Sequence, residues 1–178
     1  MLFRSSDSDE EHIRNLRQVF KILKDNHLYL NPDKSEFDTD EVKFLGHIVG
    51  HRQIRADPKK IEAIDKWPRP TNVKQLQSIL RMGNWLQCFV KGYSKIVRLL
   101  TQLTRKADWM WMDEQENAFL ELKECLMHPP ILTIANATDL FRVEADSSDF
   151  TTSGVLMQKQ EGQWKIIAYR SEALSEAE

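Results

Sequence analysis

The 178-residue sequence predicts an α+β fold in three pieces: a helix followed by a β-hairpin, a small helical block, and an antiparallel meander. Two observations point there. The apolar residues change from helical spacing to alternation and back along the chain, with Pro and Gly marking the changes. The charges also fall in blocks. Residues 58–106 carry eleven Lys/Arg against Glu62 and Asp65, a net +9; residues 107–178 carry five against fourteen Asp/Glu, a net −9; residues 1–57 come to −2. Blocks of opposite sign suggest separate units at 1–57, 58–106 and 107–178, the middle one suited to a polyanion. The plainer alternative is that these charges are solvated helix faces pairing with the acidic segment.

In the first piece, Ser8-Asp9-Glu10-Glu11 reads as a capping box opening a helix, with Ile13, Leu16, Phe20 and Leu23 as its stripe. Asn31-Pro32-Asp33 makes a turn. Glu41 to His51 reads as one apolar strand entering a turn at Gly50, with Gln53-Ile54-Arg55 as its return. In the second piece, Asp57-Pro58 is a cap followed by proline at the first helical position. Ile61, Ile64 and Trp67 follow, and Pro68-Arg69-Pro70 stops that helix. Thr71 is expected to cap the next, which carries Val73, Leu76, Ile79 and Leu80. Gly92 breaks it, and Ser94 is expected to cap a third with Ile96, Leu99, Leu100 and Leu103.

In the third piece, Ala107 to Trp111 is a linker expected to be docked. Asp113 with Glu116 reads as another capping box, and Ala118, Phe119, Leu122 and Leu126 line a helix ended by Pro129-Pro130. Strands follow at Phe141 to Asp146, Gly154 to Gln158 and Trp164 to Tyr169, and a helix is expected to start near Ser175-Glu176-Ala177-Glu178. A meander without a covering helix leaves one face bare, the expectation for a chain that is truncated.

With 41% hydrophobic and 29% charged residues the chain has material for one ordinary core or two small ones. No run of about 18 apolar residues offers a transmembrane helix. Met1-Leu2-Phe3-Arg4, turning acidic by Asp7, is not a signal peptide. The two cysteines, Cys88 and Cys125, are far apart without a CxxC partner. That pattern argues against a zinc site or a disulfide framework and points to an intracellular setting, cytoplasm or nucleus. The five histidines are scattered without metal-ligand spacing; His47 and His51 are four apart but are expected to sit across a strand and turn. The five tryptophans include Trp85 and Trp111, both expected in the core.

Three segments in this order resemble gypsy-type LTR-retrotransposon (retrovirus-like) Pol polyproteins. Leu30-Asn31-Pro32-Asp33-Lys34-Ser35-Glu36-Phe37 and then Phe44-Leu45-Gly46-His47 are similar to the end of the reverse-transcriptase palm and its primer-grip hairpin. Asp57-Pro58-Lys59-Lys60-Ile61 through Trp67-Pro68 to Asn84-Trp85, Phe89 and Ser94-Lys95-Ile96 resemble the helical thumb. Trp111, Ala118-Phe119, Leu122-Lys123 and Pro130, then Glu144-Ala145-Asp146-Ser147-Ser148-Asp149, Val155-Leu156, Gln158 and Ala168-Tyr169-Arg170-Ser171, resemble the connection and the start of a ribonuclease H-like domain. The resemblance covers nearly the whole chain. It implies a palm remnant with its hairpin, a helical thumb and an incomplete ribonuclease H-like meander.

The resemblance also implies what chemistry to expect. In the family an aromatic-x-Asp-Asp motif binds two magnesium ions for polymerisation. Met1-Leu2-Phe3-Arg4-Ser5 is similar to the strand just after that motif, so the two aspartates fall upstream of residue 1 and this chain is expected to be inactive alone. Asp146 matches the first of four ribonuclease H carboxylates, a weak metal ligand by itself; the others would lie beyond Glu178. Strand alternation puts it on one face with Arg142 and Glu144, which an ordinary solvated strand end would satisfy equally well. Magnesium is thus expected in the parent enzyme, without tight binding here. The expected partner is a template–primer duplex, RNA–DNA or DNA, bound weakly through Phe44, Leu45, Gly46, His47, Lys59, Lys60, Lys66, Lys74, Arg81, Lys91 and Lys95. The missing remainder of Pol or another subunit is a further possible partner, and no membrane is expected. Departures from the family are Arg81 for Gly, Gln87 and Cys88 for two arginines, Ser35 for Cys, Ser153 for Gly, and Ala173 for a basic residue. They are compatible with a decayed element, so the alternative is a host-retained protein-interaction module or a non-functional relic.

Overall fold

The computed structural model describes residues 8–37, 39–50, 52–105 and 108–174. The expected strand at Met1 to Ser5, His51, Ala107 and the helix start at Ser175 to Glu178 lie outside them. α1 (Asp9–Asp25) starts where Ser8 accepts from the Glu11 N–H, the capping expected there. None of its residues is buried, so its stripe is amphipathic without being covered: Ile13 and Phe20 remain 48% and 41% exposed. A 3-10 turn at Pro32–Lys34 follows, with Asn31 accepting from the Asp33 N–H.

The single strand expected from Glu41 to His51 is instead two, β1 (Glu41–Phe44) and β2 (His47–Gly50), folded back at Leu45-Gly46. Both turn residues have positive φ, 48° and 78°, the mirror-image turn that matches strand twist. Only Gly46 advertises this in sequence and Leu at the first turn position does not, so the apolar pattern reads straight through a fold-back that the resemblance to the primer-grip hairpin puts at Phe44 to His47. β3 (Gln53–Ala56) pairs next to β2, and the strand absent from the expectations, β4 (Leu132–Thr133), closes the sheet by pairing with Gln53 and Ile54. A two-residue strand carries no readable period, so its pairing is fixed by tertiary packing alone. Direct opposition in the ladders places Phe44, His47 and Ala56 on one face and Lys43, Ile48 and Arg55 on the other.

α2 (Pro58–Asp65) is capped by Asp57, whose carboxylate accepts from the Lys59 N–H. That hydrogen bond, followed by one from Lys43, holds the Asp57 carboxyl below its ordinary range. α3 (Val73–Leu86) is capped by Asn72, one residue later than expected; Thr71 instead bonds to the Gln75 side chain that folds back over the helix start. α4 (Tyr93–Leu103) starts after Gly92, which takes a left-handed conformation. Ser94 therefore sits inside the first turn, where its N–H donates to Ser171 instead of being capped. α5 (Asp113–Met127) starts one residue before the expected box: the Gln115 side chain accepts from the Met112 N–H. Glu116 is diverted to Trp111, whose indole N–H donates to it at 2.6 Å, and to Arg69 at 3.3 Å. This Arg69 contact is an ion pair between the basic and acidic blocks, as the plainer reading of the charges anticipated.

The meander is formed by β5 (Phe141–Ser147), β6 (Thr151–Gln160) and β7 (Gln163–Ala173), paired antiparallel in that order. A helix does cover it: α4, from the middle block, packs on β6 and β7. β5 is left exposed along all seven residues. Among the described residues an apolar core runs through α2, α3, α4 and α5 and the first sheet, from Ala56 and Ile64 through Leu76, Leu100 and Leu122 to Leu132, with Ile166 of β7 against it. The residues on either side of position 106 therefore share it. Trp85, Trp109 and Trp111 pack on this core as partly buried residues, in keeping with the mostly buried positions expected of Trp85 and Trp111.

α5 shows the two outcomes a leucine meets here. Leu122 is fully buried and Leu120 is 51% exposed. Leu122→Ala is expected to cost about 3 kcal/mol through lost contacts and a cavity, whereas Leu120→Ala should stay within about 0.5 kcal/mol. Urea denaturation of both variants checks the contrast, and equal losses would contradict the placement of the core.

Candidate nucleic-acid interface

The Leu45-Gly46 turn comes to rest against α3. A Cβ added to Gly46 would lie 2.6 Å from the Trp85 ring and 3.1 Å from the Lys60 side chain, so only glycine lets the turn approach this closely. Behind the turn, His47 stacks flat on the Trp85 ring with centroids 4.1 Å apart and planes 2° from parallel, and the Phe89 ring stands 5.4 Å away. Lys60, from α2, sits 4.8 Å above the Trp85 ring. The turn is thus held by one indole touched from several sides.

Around this contact opens a groove of about 450 Å³, walled by Leu45 and Gly46 on the hairpin, Lys60 on α2, and Ser78, Arg81, Met82 and Trp85 on α3. Leu45 is 73% exposed at its rim. Of the residues expected to bind nucleic acid, the fold brings Leu45, Gly46, Lys60 and Arg81 to this one place, with His47 as the backing of its aromatic wall. Lys74 lies seven residues before Arg81 on the same exposed side of α3, about 10 Å along the axis. The remaining candidates lie elsewhere. Phe44 lines a second hollow, of about 380 Å³, between α1 and β1. Lys66 pairs with Glu62 at 2.5 Å. Lys59, Lys91 and Lys95 are exposed but do not line the groove. Ser78 and Met82 were not singled out from the sequence, although their spacing with Arg81 and Trp85 is that of one helix face.

His47 has its basicity depressed, first by burial and then by the nearby Lys60 ammonium. Its Nδ1 is buried without a hydrogen-bond partner.

Asp146 sits on exposed β5, opposite Ser153. Arg142 and Glu144 do face each other on that strand, 2.9 Å apart, as alternation suggested. Among the described residues no group of three or more His, Cys, Asp or Glu side chains is gathered in a way that could hold a metal ion. One carboxylate does not fit a two-ion magnesium site.

Residues 111–178 match the family described as the RNase H-like domain found in reverse transcriptase. The chain is 35% identical over 185 residues to the retrovirus-related Pol polyprotein from transposon opus of Drosophila melanogaster, covering 97% of this chain and 18% of that protein. It is 30% identical over 175 residues to the transposon Tf2-3 polyprotein of Schizosaccharomyces pombe, covering 97% of this chain and 13% of the relative. Among solved structures, the foamy viral protease-reverse transcriptase dRH in complex with double-stranded DNA superposes with TM-score 0.83 at 27% identity, over 97% of this chain and 31% of that one. The foamy viral protease-reverse transcriptase in complex with RNA/DNA hybrid gives TM-score 0.80 at 27% identity, over 97% of this chain and 24% of the other.

Gly46→Ala tests the contact on which the groove depends. The new methyl meets Trp85 and the backbone is held at positive φ, so a loss of about 1–3 kcal/mol is expected in thermal unfolding. A neutral substitution would mean that the turn does not rest on Trp85. Over nearly its whole length the chain is similar to part of retrotransposon Pol polyproteins and to the foamy viral protease-reverse transcriptase, and residues 111–178 match the RNase H-like domain found in reverse transcriptase.

Proposed function

We propose that this chain grips the backbone of a template–primer duplex in the groove between the Leu45-Gly46 turn and α3. The observation that carries the reading is the approach of Lys60 and Arg81, from two different helices, to a single open groove with an apolar floor. Two cations lining one groove neutralise phosphates, while Leu45, Met82 and Trp85 offer surface to sugar and base edges. Such contacts read charge and shape, so binding is largely independent of base sequence. Support comes also from the similar foamy viral chains, whose structures contain double-stranded DNA and RNA/DNA hybrid.

The finer placement belongs to the same reading: a gypsy-type element, an intracellular setting, a parent polyprotein that copies RNA into DNA and degrades the RNA of the hybrid, and units divided at about residues 57 and 106. Asp146 is its first ribonuclease H carboxylate, a ligand for magnesium once the remaining carboxylates join it. In a chain extended to the length of the relatives, Asp146→Asn is expected to abolish hybrid cleavage without altering the fold. Full cleavage by that variant would remove Asp146 from the site. A second reading, a protein-interaction module, is favoured by one observation: β5 and its flanks expose Leu140, Phe141, Val143 and Phe150, each more than half accessible.

Titration of the protein against labelled RNA–DNA duplex decides between them. With about four or five phosphates contacted, log K should fall against log salt with a slope of roughly −4. Replacing both Lys60 and Arg81 with Ala should reduce that slope by about 2. Lys66→Ala should change it less, since Lys66 is already paired to Glu62. No binding at roughly 50 mM salt, or binding indifferent to salt, would favour the interaction module.

A further inference from the structure

His47 lies behind the groove wall, yet its ring has a chemistry that the duplex reading does not use. It is a half-buried imidazole packed face to face on Trp85, with an unpartnered Nδ1 and a lysine ammonium on the same indole. A protonated imidazole in this position is favoured by the indole face, which attracts a cation, and opposed by burial and by Lys60.

The charges around it come from few places. α2 supplies Lys60, which touches the same indole, and α3 supplies Arg81, which also lines the groove. The 3-10 turn at Gln87–Phe89 faces His47 with the Phe89 ring. On the hairpin itself, Lys43 and Arg55 alternate to the opposite face and are engaged there, Lys43 with Asp57 at 3.2 Å and Arg55 with Glu41. Among the described residues, then, the charged groups on the groove side of His47 are cationic, and burial first and then Lys60 lower its basicity in the free protein.

We propose that His47 is a proton-linked positioning residue of this groove: seating a nucleic-acid backbone between Lys60 and Arg81 brings a proton from solvent onto its imidazole, so binding strengthens as pH falls. The inference rests on the duplex reading of the groove. A phosphate on Lys60 cancels the one charge that opposes imidazolium, and phosphates on Lys60 and Arg81 add negative charge of their own. The imidazolium then holds Trp85 as a cation against a π face, and it attracts the backbone that brought the proton. By linkage, a group more basic in the complex than in the free protein adds affinity. That gain is present below its free-state pKa and lost as pH rises through its bound-state pKa.

The test is the affinity of the 178-residue protein for labelled RNA–DNA duplex between about pH 5.5 and 8 at fixed ionic strength, for wild type and His47→Gln. Gln keeps a planar group on Trp85 but takes up no proton, and the other histidines contribute equally to both proteins. Wild type is expected to gain about threefold to tenfold more affinity than His47→Gln on going to the acid end. In proton NMR, the titration midpoint of the His47 ring is expected to move to higher pH when duplex is added. Duplex binding with the same pH profile in both proteins, or a midpoint that stays or falls, overturns the proposal while leaving the groove reading intact. Failure of wild type to bind at every pH overturns the groove reading and this inference with it. Should His47→Gln not fold, the wild-type midpoint with and without duplex decides alone.

Discussion

The approach of the Leu45-Gly46 turn to Trp85 is the contact on which the candidate site depends. It is possible because position 46 has no Cβ and accepts positive φ. From that contact follow the stack of His47 on the indole, the seating of Lys60 over the same ring, and the groove lying between hairpin and α3. Trp85 in turn is held by the core beneath it, where α3 and α4 pack with α5 and β4. A position far along the chain, Leu132 in β4, thus supports the sheet that carries the turn.

The two charge blocks use this frame differently. Arg69 is drawn to Glu116 and stacks on Trp111, so part of the basic block is consumed in holding the linker against α5. Lys123, from the acidic side, reaches back to the Asp65 backbone carbonyl at 2.5 Å. Lys60 and Arg81 are instead turned to the groove, where a polyanion would find them. Net charge by segment identified the block, but the pairing of individual side chains decides which cations remain available.

Much of the fold was legible in the sequence because its signals are local. Ser8, Asp57 and the Pro68-Arg69-Pro70 stop act within a turn of where they stand, and the meander follows from alternation plus Glu161-Gly162, a two-residue turn with both φ positive. The helix starts at Asn72, Gly92 and Met112 were misplaced by one or two residues where a neighbouring side chain had competing partners: Thr71 with Gln75, Ser94 with Ser171, Glu116 with Trp111 and Arg69. What was not legible depends on residues distant in sequence. β4 is too short to have a period, and the cover that α4 gives β6 and β7 is a tertiary fact. So is the sorting of the basic residues, Lys60 and Arg81 into the groove and Lys66 onto Glu62.

The central claim is that nucleic acid meets this chain at the Leu45-Gly46 turn and α3. Backbone amide NMR spectra of the protein with and without a short RNA–DNA duplex test it most directly. The account predicts that shifts concentrate at Leu45, Gly46, Lys60, Ser78, Arg81 and Trp85, with the β5 amides unmoved. Saturable shifts confined to β5 or to the outer face of α5, with the groove amides unchanged, would contradict it.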